Sequence, residues 1–271
     1  MTKQFPINED TVNGILRFVK ARRKETGGYG ATPKLPATVE DTYHALCILE
    51  TLRRGRRKTA LAYYEDAALK DYLSRMAEIE WITPWTTFHV LYGCRLAGMS
   101  VDEDRTTAFL KRRLKEPLDL VERYYCARIL REVPKITNDI TGKIANDLAL
   151  ARWRTAAELW MILYLVDRKR IHQMPHRAVL VSWLQACQNG DGAFGFLPGT
   201  TSYIENCHTC LRALALLGVQ PIDPDGACAF IMACRTASGG FARIQGATAF
   251  LDATWHAVAG LSLLGSLSSS A

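Results

Sequence analysis

No stretch of this sequence is apolar for long enough to cross a bilayer. The longest clean run, Leu159–Val166, is eight residues, against about 20 for a spanning helix. The first ten residues, MTKQFPINED, lack the charged-then-apolar pattern of a secretion signal, so no export is expected. Compact disulfide-type cysteine spacing is also missing. Eight scattered cysteines predict a reducing, cytoplasmic setting. Charge is not concentrated in one sign: Lys+Arg 34 less Asp+Glu 27 leaves +7. That balance suits acidic ligands or a membrane surface and gives no reason to expect nucleic acid. No run alternates strictly enough to predict a strand. What remains is a soluble-type composition, 48% hydrophobic and 23% charged, in 271 residues able to bury a large core.

The chain repeats itself. TGGYGATPKLPATVEDTYHALCIL from Thr26, NGDGAFGFLPGTTSYIENCHTCLRAL from Asn189 and SGGFARIQGATAFLDATWHAVAGL from Ser238 share one plan. Glycines precede an aromatic residue, Tyr29, Phe194 or Phe241. Eleven residues later comes an acid, Glu40, Glu205 or Asp252, and six beyond that an aliphatic anchor, Leu46, Leu211 or Val258. Degenerate copies lie between them: one anchored on Leu91 with Phe88-His89, one on RYYCARIL with Tyr124-Tyr125, and one on Leu159, Ile162 and Leu165. Six units result.

Each unit reads as two helices. The first is amphipathic: Asn8–Arg23, Ala60–Met76, Val101–Leu114, Thr137–Leu150, Pro175–Gln188 and Pro224–Arg235. Asn8 and Asp223-Pro224 are helix-start signals. The second, as in LRALALLG and AVAGLSLLG, is apolar nearly all round and so is expected to be buried on both sides. Alternation of the two kinds predicts an all-α domain of two concentric helical layers spanning 1–271. Six helical hairpins would place solvent-facing outer helices around inner helices that enclose a cavity, with Glu40, Glu205 and Asp252 at one mouth. Tyr43-His44, Phe88-His89 and Trp255-His256 share a register and predict an aromatic wall suited to an apolar ligand or a carbocation. Acids at helix starts also complement the helix dipole, and aromatic residues at these positions also serve as core.

GGYG…EDTYHAL, QNGDGAFGF…ENCHTCLRALALLG and SGGFAR…LDATWHAVAGLSLLG resemble the repeats of protein prenyltransferase β subunits and of squalene and other triterpene cyclases, which share an α/α toroid. The prenyltransferase resemblance implies transfer from a prenyl diphosphate to a thiol or small acceptor. It further implies a zinc ion bound by Glu205 and Cys207 (in the place of an Asp-x-Cys pair), Asp252, and His256 or His208. Family histidine falls at Trp255 here, one residue before His256, and the family's diphosphate-binding Arg and Lys fall at Gly199 and Ser202. Arg152 and Arg154, at the fourth inner helix, are the candidate substitutes. Isoprenoid contacts fall to Tyr43, His44, Phe88, His89, Tyr124 and Trp255. The cyclase resemblance implies a proton donor within Thr38-Val39-Glu40-Asp41-Thr42, with Glu40 in the donor's place and Asp41 beside it. A third reading is a toroid that binds a lipid or protein without catalysis. The heterodimeric habit of prenyltransferases implies a helical protein partner, and the Arg53–Lys58 cluster an anionic membrane or partner contact.

Overall fold

The structure is a computed structural model that describes residues 7–55, 66–79, 81, 83–132, 153–166 and 176–267. Eleven helices are present among the described residues. Five are outer helices: α1 (Glu9–Lys20), α3 (Ala67–Glu78), α5 (Glu103–Arg113), α8 (Arg177–Ala186) and α10 (Pro224–Ala233). The other six are α2 (Val39–Gly55), α4 (Pro84–Leu96), α6 (Leu120–Glu132), α7 (Ala156–Leu165), α9 (Ile204–Leu216) and α11 (Leu251–Leu267). The expected outer helix over 137–150 lies outside the described residues, as do the first residues of the one expected from Ala60.

The inner helices close a ring. α2 packs on α4, α4 on α6, α6 on α7, α7 on α9, α9 on α11, and α11 returns to α2. Among the described residues, five of the six inner helices follow an outer helix, so these five run in one direction and their N-termini share one end. Caps read from the sequence form as expected. Asn8 Oδ1 accepts from Thr11 N at 2.9 Å, and Asp223 Oδ1 from Gly226 N at 2.8 Å. The buried core runs continuously through the inner helices, with Leu46, Leu49, Leu211, Leu214, Val258 and Leu261 almost fully enclosed.

Three glycine loops make one structure three times. Gly27, Gly192 and Gly239 take φ of +96°, +81° and +90°, and each has its outward face against the next outer helix. A Cβ there would lie 1.8 Å from Ala68 O, 2.3 Å from Gly226 C and 2.3 Å from Gly14 O, respectively. Only glycine meets both demands. Side chains tie the same corners. Gln188 Nε2 donates to Asp223 O and Gln188 Oε1 accepts from Asp223 N, at 2.7 and 3.0 Å. In the equivalent places Arg23 pairs with Asp66, and Arg235 pairs with Asp10 at 2.9 Å. That last pair joins residues 225 apart in sequence and closes the last unit on the first. Within the loops, isolated antiparallel bridges centre on Tyr29, Phe194 and Phe241.

Candidate functional site

Residues 2, 5 and 9 of a helix share a face, and in the six inner helices that face turns toward the ring interior. It divides the interior into tiers. The second residue of each helix forms the mouth: Glu40, Trp85 and Val121 on one side, then Ala157, Glu205 and Asp252. The acids are contiguous, because α9, α11 and α2 are neighbours. Arg243, from the loop before α11, holds them together. Its Nη2 lies 2.9 Å from Asp252 Oδ2 and its Nε 3.4 Å from Glu205 Oε1. Burial raises the Asp252 carboxyl, but Arg243 outweighs it and keeps the group below the usual carboxylate range. Glu40 has no such cation. Partial burial, with Asp41 and Asp252 beside it, pushes its carboxyl up. Asp41 is occupied locally, accepting from the Thr38 hydroxyl at 2.6 Å.

The fifth residues are aromatic in every inner helix: Tyr43, Phe88, Tyr124, Trp160, His208 and Trp255. With their neighbours they form a belt around the ring. Trp255 lies 5.8 Å from Tyr43, Tyr43 5.8 Å from Phe88, Phe88 5.8 Å from Tyr125, and Tyr124 6.4 Å from Trp160, between ring centroids. His208 meets Trp255 edge-on at 5.0 Å, and His44 stacks on Trp255 at 5.3 Å. The imidazoles are kept neutral. Burial pushes His44 down to about 4, His256 to about 3 and His89 to about 2, and holds His208 well below its usual value. His208 Nδ1 and His256 Nδ1 are 2.8 Å apart and share a hydrogen bond, whereas His44 Nδ1 and His89 Nδ1 are buried without a partner.

The ninth residues include two cations. Arg128 lies with Cζ 3.7 Å from the Phe88 ring centroid and donates from Nη2 to the Tyr43 hydroxyl at 3.3 Å. Arg212 lies 3.9 Å over Trp160. Burial raises the Tyr124 phenol, but Arg212 and Arg128 outweigh it and bring it below its ordinary value. Among the described residues no carboxylate forms an ion pair with either arginine. Glu132, one turn beyond Arg128, is paired with Arg95 at 2.5 Å. Tyr92, Arg128, Tyr164, Arg212 and Ala259 are all half-buried, while most of the belt above is buried.

The prenyltransferase alpha-alpha toroid domain is matched by residues 1–80 and again by residues 56–271. The chain belongs to the prenyltransferase α–α toroid family. Among solved structures, an apo type II terpene cyclase from Scytonema, MstE with a tyrosine-to-phenylalanine substitution, is similar with a TM-score of 0.57. It is 13% identical, and the match covers 96% of this chain and 96% of that one. At this identity the likeness concerns the fold. No curated protein sequence matches.

For this toroid, the zinc ligand set carried over from prenyltransferase β subunits does not converge. Cys207 is fully buried and hydrogen-bonds the Phe194 backbone, and burial pushes its thiol up to about 12. It stands two residues after its acid, where the sister repeats have Thr42 and Thr254. Their hydroxyls accept from Tyr29 N and Phe241 N at 3.0 and 2.9 Å. Cys207 thus occupies the loop-anchoring position and faces away from Glu205, which lies at the mouth with Arg243. Asp252 is engaged by the same arginine, and His208 and His256 engage each other. Among the described residues, no three His, Cys, Asp or Glu side chains are grouped as a metal site.

Of the other residues singled out from sequence, Tyr43, His44, Phe88, His89, Tyr124 and Trp255 are brought together in the belt. Glu40 and Asp41 stand at the mouth, Glu40 exposed. Gly199 and Ser202 are loop residues, the Ser202 hydroxyl donating to Asp191 Oδ1 at 3.0 Å. Arg154 extends into solvent beside Glu158 at 3.3 Å, while Arg152 and residues 56–58 of the basic cluster lie outside the described residues. Arg128, Arg212 and Arg243 escaped sequence reading. The available signal was their register: Arg128 and Arg212 each follow a belt aromatic by four residues, which puts them on the interior face.

Proposed function

We propose that the toroid binds a prenyl diphosphate inside the ring, with the apolar chain against the belt and the diphosphate on Arg128 and Arg212. The observation that carries this reading is two interior guanidinium groups with aromatic faces beside them and no carboxylate partner among the described residues. A half-buried cation without a counter-charge is left unsatisfied, and a bound phosphate would supply charge and bidentate acceptors together. The reaction supported by this arrangement is transfer by ionisation. The C1–O bond breaks and its electron pair leaves with the diphosphate, held by the two arginines. The allylic cation left behind lies beside the aromatic belt, whose rings stabilise positive charge. An acceptor nucleophile then bonds to C1 and loses its proton. Because the zinc ligand set does not converge, no step passes through a metal.

A second reading has one observation of its own. Glu40, at the mouth, has its carboxyl raised and lies above the belt, so it could protonate a ligand double bond as in cyclases. Direct binding separates the two. Farnesyl diphosphate affinity, read by tryptophan quenching, is expected to fall about 10- to 100-fold in Arg128→Gln and in Arg212→Gln, at unchanged helical content. Glu40→Gln is expected to leave it within twofold. Unchanged affinity in both arginine variants would overturn the proposal.

A further inference from the structure

Large apolar side chains exposed on this molecule are not scattered evenly. The loops entering α2, α9 and α11 present Leu35 (52% exposed), Phe196 (44%), Tyr203 (37%), Ile244 (40%) and Phe250 (36%). The connection into α4, and the first turns of α4 and α6, add Ile79, Trp85 and Val121. All eight sit at the end where the inner helices begin. Among the described residues, only Val179 and Ile222 of the large exposed apolar residues lie elsewhere, on α8 and on the connection before α10.

Three features decide what such a face meets. First, the apolar residues come from five units and so surround the mouth as an annulus instead of forming a patch on one side. A flat apolar medium fits an annulus, whereas a protein partner of ordinary size contacts one sector. Second, both signs of charge are mixed there. Glu40, Asp41, Glu158, Glu205 and Asp252 stand among Arg243, Lys34 and Arg154, so the face carries no field of a single sign for a charged partner. Third, a recess of about 260 Å³ opens two residues beyond Ile79, lined by Trp81, Phe109, Arg105 and Arg112. Arg105 lies 4.4 Å over Trp81, itself buried, so the recess presents guanidinium groups beside the annulus, at the level of lipid headgroups.

We infer that the mouth end of the toroid docks flat on a lipid bilayer, its annulus entering the interface while the outer helices stay in water. No helix among the described residues is long and apolar enough to cross the membrane, so the contact is peripheral and reversible. It is driven by apolar insertion, independently of the Arg53–Lys58 cluster and of the diphosphate reading.

Flotation of the ligand-free full chain with phosphatidylcholine vesicles tests this. Wild type should co-float, and 0.5 M NaCl should change the bound fraction little, because apolar insertion is not screened. The double variant Phe196→Ser/Ile244→Ser should lower the partition coefficient about tenfold, and Val179→Ser/Ile222→Ser should leave it unchanged. Absence of wild-type co-flotation, equal loss in both double variants, or binding abolished by salt would overturn the inference. So would light scattering showing that the rim residues instead hold two copies together. Because no prenyl diphosphate is present, these outcomes are independent of whether the interior binds one.

Discussion

Replacing Gly239 with alanine should open the seam where the last unit meets the first, and the structure sets how much that costs. Gly239 has φ +90°, and a Cβ there would lie 2.3 Å from Gly14 O and 2.6 Å from Gly14 C on α1. Gly246 has nearly the same backbone, φ +82°, with nothing within 4 Å of its Cβ position. Gly246→Ala therefore measures the conformational penalty alone, about 1–2 kcal/mol, offset by about 0.4–1 kcal/mol of lost unfolded-state entropy. Gly239→Ala carries that term and must also push α1 from the loop. The shift would loosen the Arg235–Asp10 pair and the contact of Gly240 with the Phe18 ring. A total of about 3–5 kcal/mol is expected, in the range of overpacked cores with backbone strain. At about 2–4 °C per kcal/mol for a chain of this size, Tm should fall by about 6–20 °C for Gly239→Ala and by no more than about 6 °C for Gly246→Ala. Calorimetry or thermal circular dichroism on both variants measures this. Equal falls would refute the reasoning, since they would mean that α1 does not press on the loop.

Two further outcomes follow from the interior. Cys207→Thr should keep stability within about 1 kcal/mol, and Cys207→Ala should lose about 1 kcal/mol, as expected for one hydrogen bond. Competition with a chromophoric chelator should show the same zinc uptake for wild type and both variants, and loss of a tight equivalent would contradict the anchoring role. Stability should also fall with acid. His44 titrates near 4 when folded against about 6.5 unfolded, so the unfolded chain binds more protons between these values. Its contribution is fully present above about pH 6.5 and is lost as pH falls toward 4, amounting to about 2 kcal/mol at pH 5. Urea unfolding at pH 7.5 and 5 checks it, and His44→Gln should shrink the difference by about that amount. No change in the pH dependence would contradict a buried neutral imidazole.

The parts of this fold legible in the sequence were those where one residue type has one physical reason to be present. Glycine at positive φ against a neighbouring helix, an aromatic after it and an acid eleven residues on repeat because the corner they build repeats. Apolar periodicity separated outer from inner helices for the same reason. The interior was harder to read. Arginine within a helical pattern ordinarily reads as a solvated face, and only closure of the ring shows that the faces bearing Arg128 and Arg212 turn inward. Cys207 is the opposite case. Its spacing from Glu205 matches a ligand pair, but the spacing from an acid to a loop-anchoring hydroxyl is identical in the sister repeats, so Thr42 and Thr254 were the informative comparison. The middle units lack glycine corners, and their belt residues Phe88, Tyr124 and Trp160 fall into register only once helix starts are known.

The central claim is that the ring interior recognises an anionic head together with an apolar chain. Isothermal titration of farnesyl diphosphate and of farnesol into the same wild-type protein tests it most directly. Two charge-assisted contacts predict at least about 100-fold tighter binding of the diphosphate, a preference that disappears in the Arg128→Gln/Arg212→Gln double variant. Equal affinity for the alcohol and the diphosphate in wild type would contradict it.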